Sequence, residues 1–215
     1  NLPGQLIGKV LRSPHAHAVI KSIDTSDAEK LAGVKAVVTR DDFPDMEVEH
    51  AASGELMVNF RDVTRNMMAR EKALYDGHPV AAVAALSESI AKQALKLIKV
   101  DYEVLPHVID VVEAMQPDAP LLHEDMFTKG AGIDPDPSKK SNIATRMENK
   151  LGDVEEGFRK ADFIVEHESN TKPTHQGYIE PQASIANYSE GGTIEVFTST
   201  QGHHVFRAQI AKLLK

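Results

Sequence analysis

The side chains best equipped for chemistry lie between Pro173 and Gln201, in the run P-T-H-Q-G-Y-I-E-P, two alternating segments and S-T-Q. His175, Tyr178 and Glu180 sit close together in a loop bounded by Pro173 and Pro181. An imidazole and a carboxylate at that spacing form an acid–base pair if the backbone brings them together, and a structural polar network if it does not. Gln201 stands at the end of an alternating segment and is followed by Gly202 and a helical run. A neutral amide at a strand end beside a helix start can donate a hydrogen bond to a ligand in the gap without adding charge.

The remaining histidines support metal binding less well. His15 and His17 form an H-x-H that faces one way on a strand, but no third ligand is nearby in sequence. His203 and His204 are adjacent, a spacing that points side chains apart on a strand or a helix. Hydrogen bonding to backbone is the simpler role for both pairs. Gly130-Ala131-Gly132 lacks the preceding strand and third glycine of a dinucleotide site and reads as linker. Met57, Met67 and Met68 suit core filling or a mobile loop better than a soft-metal surface. No phosphate-binding P-loop, nucleophile elbow or H-E-x-x-H zinc motif is present.

Composition narrows the function classes further. Among 215 residues, 41% are hydrophobic and 26% charged, an ordinary globular balance with enough chain for one large or two small domains. A formal net charge of −8, with Lys and Arg scattered among acids, argues against a phosphate-tracking nucleic-acid surface. The chain has no Cys, which removes disulfides, thiolate zinc and thiolate iron–sulfur sites from it and fits a reducing, cytoplasmic setting. No apolar run approaches the roughly 20 residues of a membrane span, and Asn1-Leu2-Pro3-Gly4 does not open a signal peptide.

Periodicity predicts the elements that must position these groups. Strands are expected at residues 6–11, at the end of 15–23, and at 34–39, with a short helix over 24–32 stopped by Gly33. Residues 45–70 show no clear period and read as an irregular excursion. Residues 80–86 (V-A-A-V-A-A-L) are a fully apolar strand, and 87–97 a helix capped by Ser87, with Ile90, Ala91, Ala94, Leu95 and Ile98 on one face. Residues 99–104 alternate as a strand with one wet face. The economical packing is helices on one side of a mixed sheet. A Pro- and Gly-rich connector with a short helix at 111–115 follows, including Gly132, Pro135 and Pro137. Beyond it, strands are expected at 142–151, 162–171, 183–188 and 193–198. Helices are expected at 154–160 and 205–214, the last with Phe206, Ile210, Leu213 and Leu214 as its apolar stripe.

Three stretches resemble a known family. L-R-S-P-H-A-H-A at residues 11–18 with Ile23-Asp24, L-A-G-V-K-A-V-V-T at 31–39, and Y-D-G-H-P-V-A-A-V-A-A at 75–85, closing in V-D-Y-E-V-L-P at 100–106, resemble the α/β hammerhead domain of molybdenum hydroxylases. Gly152-Asp153-Val154-Glu155, Glu180-Pro181 and Ser199-Thr200-Gln201 resemble the entry and first active-site strand of their molybdopterin-binding domain. The family comprises xanthine dehydrogenases, aldehyde oxidases and 4-hydroxybenzoyl-CoA reductases.

The resemblance implies an α+β fold, with an α/β hammerhead domain over residues 1–107, a connector over 108–143 and the truncated start of a molybdopterin-binding domain over 144–215. It implies that Gln201 lies beside the molybdenum and hydrogen-bonds its apical oxo group, with Gly202 next to it and His175 and Glu180 in the supporting shell. It assigns no catalytic residue and no direct metal ligand to this stretch. The glycine-rich cofactor loop, substrate-orienting residues and base glutamate would lie beyond Lys215, so the fragment would not turn over alone. The full oxidoreductase would insert a water-derived oxygen at an electron-poor carbon of a small molecule, or run the reverse on an aromatic CoA thioester. It would pass electrons to Fe–S and FAD carried on partner subunits or domains, with no nucleic acid or membrane involved. The alternative is a non-catalytic docking module that uses the hammerhead, with residues 45–70 as its contact surface.

Overall fold

The computed structural model describes residues 2–53, 56–131 and 139–214. Its first part is built from β1 (Ile7–Arg12), β2 (Ala18–Asp24), α1 (Ser26–Glu29), β3 (Val34–Thr39), β4 (His50–Ser53), β5 (Leu56–Asn59), α2 (Phe60–Met67), β6 (Lys72–Ala73), β7 (Pro79–Ala85), α3 (Glu88–Leu97) and β8 (Lys99–Val104). After these come α4 (Val111–Ala114), β9 (Lys129–Ala131), β10 (Thr145–Met147), α5 (Val154–Lys160), β11 (Ser184–Tyr188), β12 (Ile194–Thr198) and α6 (His203–Leu213).

Six strands of the first part form two three-stranded sheets, in the orders β1-β7-β3 and β6-β2-β8, and β4 pairs with β5 apart from them. Every pairing within them is antiparallel. The expected single mixed sheet is therefore replaced by two. The reason lies in the connections: α1 leads from β2 to β3 and α3 from β7 to β8, so each helix carries the chain from one sheet to the other.

β7 is the central strand of its sheet, and Val80, Ala81, Val83 and Ala85 on it are fully or almost fully buried. That is why its sequence is apolar without alternation. α3 lies across this sheet and α1, joining Ala91, Ala94 and Ile98 to Ala28, Ala81, Val83 and Ala85 in one core, with Ile90 and Leu95 at its margin. Alanine on both surfaces lets helix and sheet approach closely, and burying each valine is worth about 1.5–3 kcal/mol. The Ser87 hydroxyl accepts from the Ile90 N–H at 3.3 Å and starts the helix as expected. A smaller core joins Ile20, Ala69 and Val80, with Tyr102 packed against it.

Residues 45–70 are not an irregular excursion. β4 and β5 pair as an antiparallel hairpin, and α2 follows it. Asn59 caps α2 by accepting from the Arg61 N–H at 3.2 Å, and Phe60, Thr64, Met68 and Ala69 are buried. Met68 is thus core, and Met67 is half-buried. Thr64 hides its polarity by donating its hydroxyl to the Phe60 and Arg61 carbonyls at 3.1 and 3.0 Å. A buried threonine in the middle of R-D-V-T-R-N is what hid the helical period.

The connector is held by Asn142. Its Nδ2 donates to the Ala114 and Pro120 carbonyls at 3.1 and 2.9 Å, and its Oδ1 accepts from the Leu122 N–H at 3.0 Å. Gly130 and Ala131 lie in β9, which pairs in parallel with β10, whereas Gly132, Pro135 and Pro137 lie outside the described residues. Of the strand expected over 142–151, the structure forms only β10. The strand expected over 162–171 does not form, because among the described residues no neighbouring strand supplies its hydrogen bonds. Phe163 and Val165 stay 91% and 90% exposed there.

Candidate functional site

β11 and β12 form the hairpin that delivers Gln201. The turn between them closes with Gly192 at φ 79° and its N–H donating to the Ser189 carbonyl at 3.0 Å. Cross-strand pairs hold the register: Ser184 and Thr198 hydroxyls meet at 2.7 Å, and Asn187 Nδ2 donates to Glu195 Oε2 at 3.3 Å. β12 ends at Thr198, and Ser199-Thr200-Gln201 turns the chain into α6.

Gln201 is exposed, and among the described residues nothing hydrogen-bonds its side-chain amide. Gly202 is the N-cap of α6, and no side chain caps the helix. The Gly202 N–H donates to Thr200 Oγ1 at 3.1 Å, and its carbonyl accepts from the Phe206 N–H at 3.0 Å. No acid occupies the first turn of α6. A neutral amide donor beside an uncapped helix start favours an oxygen-rich or anionic ligand. This donor set fits the oxo group of a molybdenum cofactor, which needs hydrogen bonds rather than added charge. Among the described residues, no cluster of three or more His, Cys, Asp or Glu side chains is placed to hold a metal ion directly.

His175 and Glu180 do not form a pair. The His175 Nδ1 accepts from the Gly177 N–H at 3.0 Å, and its ring meets Tyr178 edge-on at 5.6 Å. Among the described residues no hydrogen bond joins His175 to Glu180 or either to Gln201, and all three are exposed. The loop thus brings together the histidine and the tyrosine, and leaves the acid apart.

The histidine pairs are placed by other contacts. His15 meets Tyr102 edge-on at 5.0 Å, while His17 is buried with Nδ1 donating to the Pro106 carbonyl at 2.9 Å. His203 and His204 open α6 with ring centroids 4.1 Å apart. Their rings turn toward each other rather than apart, since free rotamers at an exposed first turn override the 100° backbone step.

Two organising residues escaped the sequence reading. His78 is fully buried behind the Tyr75-Asp76-Gly77 turn, where Gly77 sits at φ 88°. The Leu74 N–H donates to His78 Nδ1 at 3.1 Å, so Nε2 carries the proton and donates to the Arg65 carbonyl at 2.8 Å. Burial holds this imidazole below its ordinary value. Lys212, near the end of α6, forms an ion pair with Glu49 and lies 4.6 Å from the Phe60 ring centroid. The Y-D-G-H-P run signalled a turn around His78; nothing in the sequence links Lys212 to a position more than 150 residues earlier.

Comparison with known proteins agrees with this architecture. Residues 1–106 match the family model described as aldehyde oxidase and xanthine dehydrogenase, a/b hammerhead domain, and residues 135–215 match the molybdopterin cofactor-binding domain. The probable hypoxanthine oxidase XdhD of Escherichia coli (strain K12) is 35% identical over 228 residues, covering 96% of this chain and 23% of that protein. The carbon monoxide dehydrogenase large chain of Afipia carboxidovorans is 35% identical over 214 residues, covering 98% of this chain and 25% of its own. The crystal structure of quinoline 2-oxidoreductase from Pseudomonas putida 86 superposes with a TM-score of 0.78 at 25% identity, covering 99% of this chain and 25% of that one. The chain thus spans about a quarter of the length of each of these relatives. With a hammerhead domain leading to the start of a cofactor-binding domain, it belongs to the molybdenum hydroxylase family of xanthine dehydrogenases and aldehyde oxidases.

Proposed function

We propose that this chain is part of the molybdopterin-binding subunit of a multi-component oxidoreductase, and that it places the Gln201 amide against the oxo group of the cofactor. The observation that carries this reading is the exposed amide of Gln201 between the end of β12 and the uncapped start of α6. When bound, the cofactor supplies oxygen transfer between water and an electron-poor carbon. The chain's own part is to orient: Gln201 donates a hydrogen bond and adds no charge, and Gly202 leaves the approach free of a side chain. His175 is held by Gly177 and Tyr178; the place of His175 and Glu180 in a supporting shell follows from the family likeness alone.

Domain boundaries near residues 107 and 143 follow from the same reading, with the hammerhead as the rigid base. The apolar side chains left exposed after residue 150, among them Leu151 at 98%, Phe163 at 91% and Ile179 at 100%, form a surface that the rest of the subunit covers. In this reading the residues present here do not turn over alone. Electrons leave through iron–sulfur and flavin carriers on partner subunits or domains, in a cytoplasmic setting; no helix among the described residues is long and apolar enough to cross a membrane. The substrate is a small molecule. A purine or aldehyde in the oxidative direction and an aromatic CoA thioester in the reductive one are the two classes to separate.

The test is metal analysis of the native complex captured through this chain, reporting Mo, Fe and Zn per polypeptide. Molybdenum with iron is expected. Gln201→Ala should then lower turnover of whichever substrate the complex accepts by about 10²-fold, the effect of removing one aimed donor, without releasing partners. Zinc alone, or no metal, would transfer the assignment to the docking-module reading.

A further inference from the structure

α6 has Gln201 just ahead of its first residue and Lys212 near its last. The two ends differ in their surroundings. Gln209, Ile210, Lys212 and Leu213 toward its last turn are half-buried, whereas His203, His204, Phe206 and Arg207 toward its first are exposed. The covered face of α6 therefore combines Lys212 and Gln209 with Ile210 and Leu213 of the apolar stripe, while Phe206 of that stripe stays outside it.

The seat that receives Lys212 is held by contacts that do not involve α6. The Phe60 N–H donates to the Glu49 carbonyl at 2.8 Å, and the Glu49 N–H donates to Asn59 Oδ1 at 3.3 Å. The same Asn59 oxygen caps α2, and Phe60 itself is only 1% exposed. α2 is tied in turn to the body of the domain, because the Arg65 carbonyl accepts from His78. An anion whose backbone is tied to Asn59 and Phe60, and the Phe60 ring at the buried start of α2, hold one ammonium group. Residues 45–70, whose surface an external partner would have to use, hold a helix of this same chain.

We propose that Lys212 is a positioning residue: its seat on Glu49 and Phe60 fixes the axis of α6 and thereby the place of the Gln201 amide. The inference rests on the reading of Gln201 given above. At 1.5 Å per residue, Gln201 and Lys212 stand about 16 Å apart along the axis. A tilt of about 10° at one end of such a lever moves the other by almost 3 Å, and about 1 Å of misplacement at a reacting centre already costs about 10²-fold. The hairpin ahead of Gln201 is exposed on both faces and cannot resist such a tilt by itself.

The test uses the intact enzyme complex. A water-soluble carbodiimide joins the Glu49 carboxylate to the Lys212 amine as an amide, taking up the water that is lost, and mass spectrometry locates the joined peptides. The second readout is the electron paramagnetic resonance signal of the half-reduced molybdenum centre, with dithionite as reductant, compared in Lys212→Met, Lys212→Arg and Gln201→Ala. The expected results are the Glu49–Lys212 cross-link, a Lys212→Met signal shifted toward that of Gln201→Ala at unchanged molybdenum content, and a native signal in Lys212→Arg. A missing cross-link, a native signal in Lys212→Met, or a shift that only accompanies loss of molybdenum would overturn the proposal. If Lys212→Met fails to accumulate, Glu49→Gln removes the anion alone; a native signal there together with no cross-link in the unaltered enzyme also overturns it. An unaltered enzyme without molybdenum would remove the reading of Gln201, and this proposal with it, whereas the cross-link reports the seat whatever the metal.

Discussion

His78 Nε2 donates to the Arg65 carbonyl at 2.8 Å, joining the turn before β7 to the last turn of α2 through a fully buried ring. The ring stacks on Tyr75 with centroids 4.4 Å apart, and its two hydrogen bonds admit one tautomer only. A second proton would put an N–H on Nδ1 against the Leu74 N–H. Below the ordinary imidazole value of 6.5 the unfolded chain takes up a proton that the folded chain refuses. The share of stability that His78 contributes is thus flat above that value and falls as pH drops from 6.5 toward the lowered folded value. Urea melts across that window should show the decline in the native protein and lose His78's share of it in His78→Gln. His78→Ala, which empties the site and strips two partners, should cost about 2–4 kcal/mol.

Gly33 ends the turn into β3 at φ 93°, and a Cβ there would lie 2.7 Å from Ile90 Cδ1 of α3. The substitution Gly33→Ala meets both backbone strain and the core helix, and should destabilise by about 1–3 kcal/mol. Gly8 in β1 is the control: its φ is not positive and a Cβ would meet nothing within 4 Å. Gly8→Ala should leave the denaturation midpoint where it is or raise it slightly.

Asn142 offers two donors and one acceptor to three backbone groups that have few other partners. Asn142→Asp keeps the shape, removes both donors and sets a negative charge against two carbonyl oxygens, so it should loosen the connector more than Asn142→Ala, by about 1–3 kcal/mol locally. Limited proteolysis is the readout. Cleavage within 115–125 should accelerate in both variants, and more in the aspartate, while cleavage inside residues 7–104 should not.

Glu88 opens α3 and is held down to about 2, first by the hydrogen bond from Lys92 and then by that from Lys9 on β1. Its carboxylate stays charged through mild acid, and what it contributes is present above the ordinary value of 4.5 and lost as pH falls through about 2. An NMR titration should find the Glu88 midpoint near 2 and move it upward in Lys92→Met and, less strongly, in Lys9→Met. Added salt should move it upward too, since all three side chains are solvent-accessible.

The sequence by itself determined the elements whose signals are local. Ser87 and the face of Ile90, Ala91, Ala94, Leu95 and Ile98 announce α3. The unbroken apolar run announces β7 as a central strand, and Gly191-Gly192 announces the last hairpin. Caps, turns and side-chain period act over a few residues, so they are legible before any fold exists. Gln201 stood out by its place at the end of an alternating segment before a helix, and family likeness added only the expectation of what its amide meets.

Tertiary structure alone decided which segments meet. Residues 162–171 alternate as a strand should, yet form none, because a strand exists only with a partner. α2 was hidden by a threonine whose hydroxyl is satisfied only once the helix has formed and been buried. Two sheets replaced one because the helices cross between them. His175 and Glu180, neighbours in sequence, do not meet. Lys212 and Glu49, far apart in sequence, do. Contacts of that kind come from the packing of whole elements, whose energy is spread over many side chains and leaves no mark at either end of the pair.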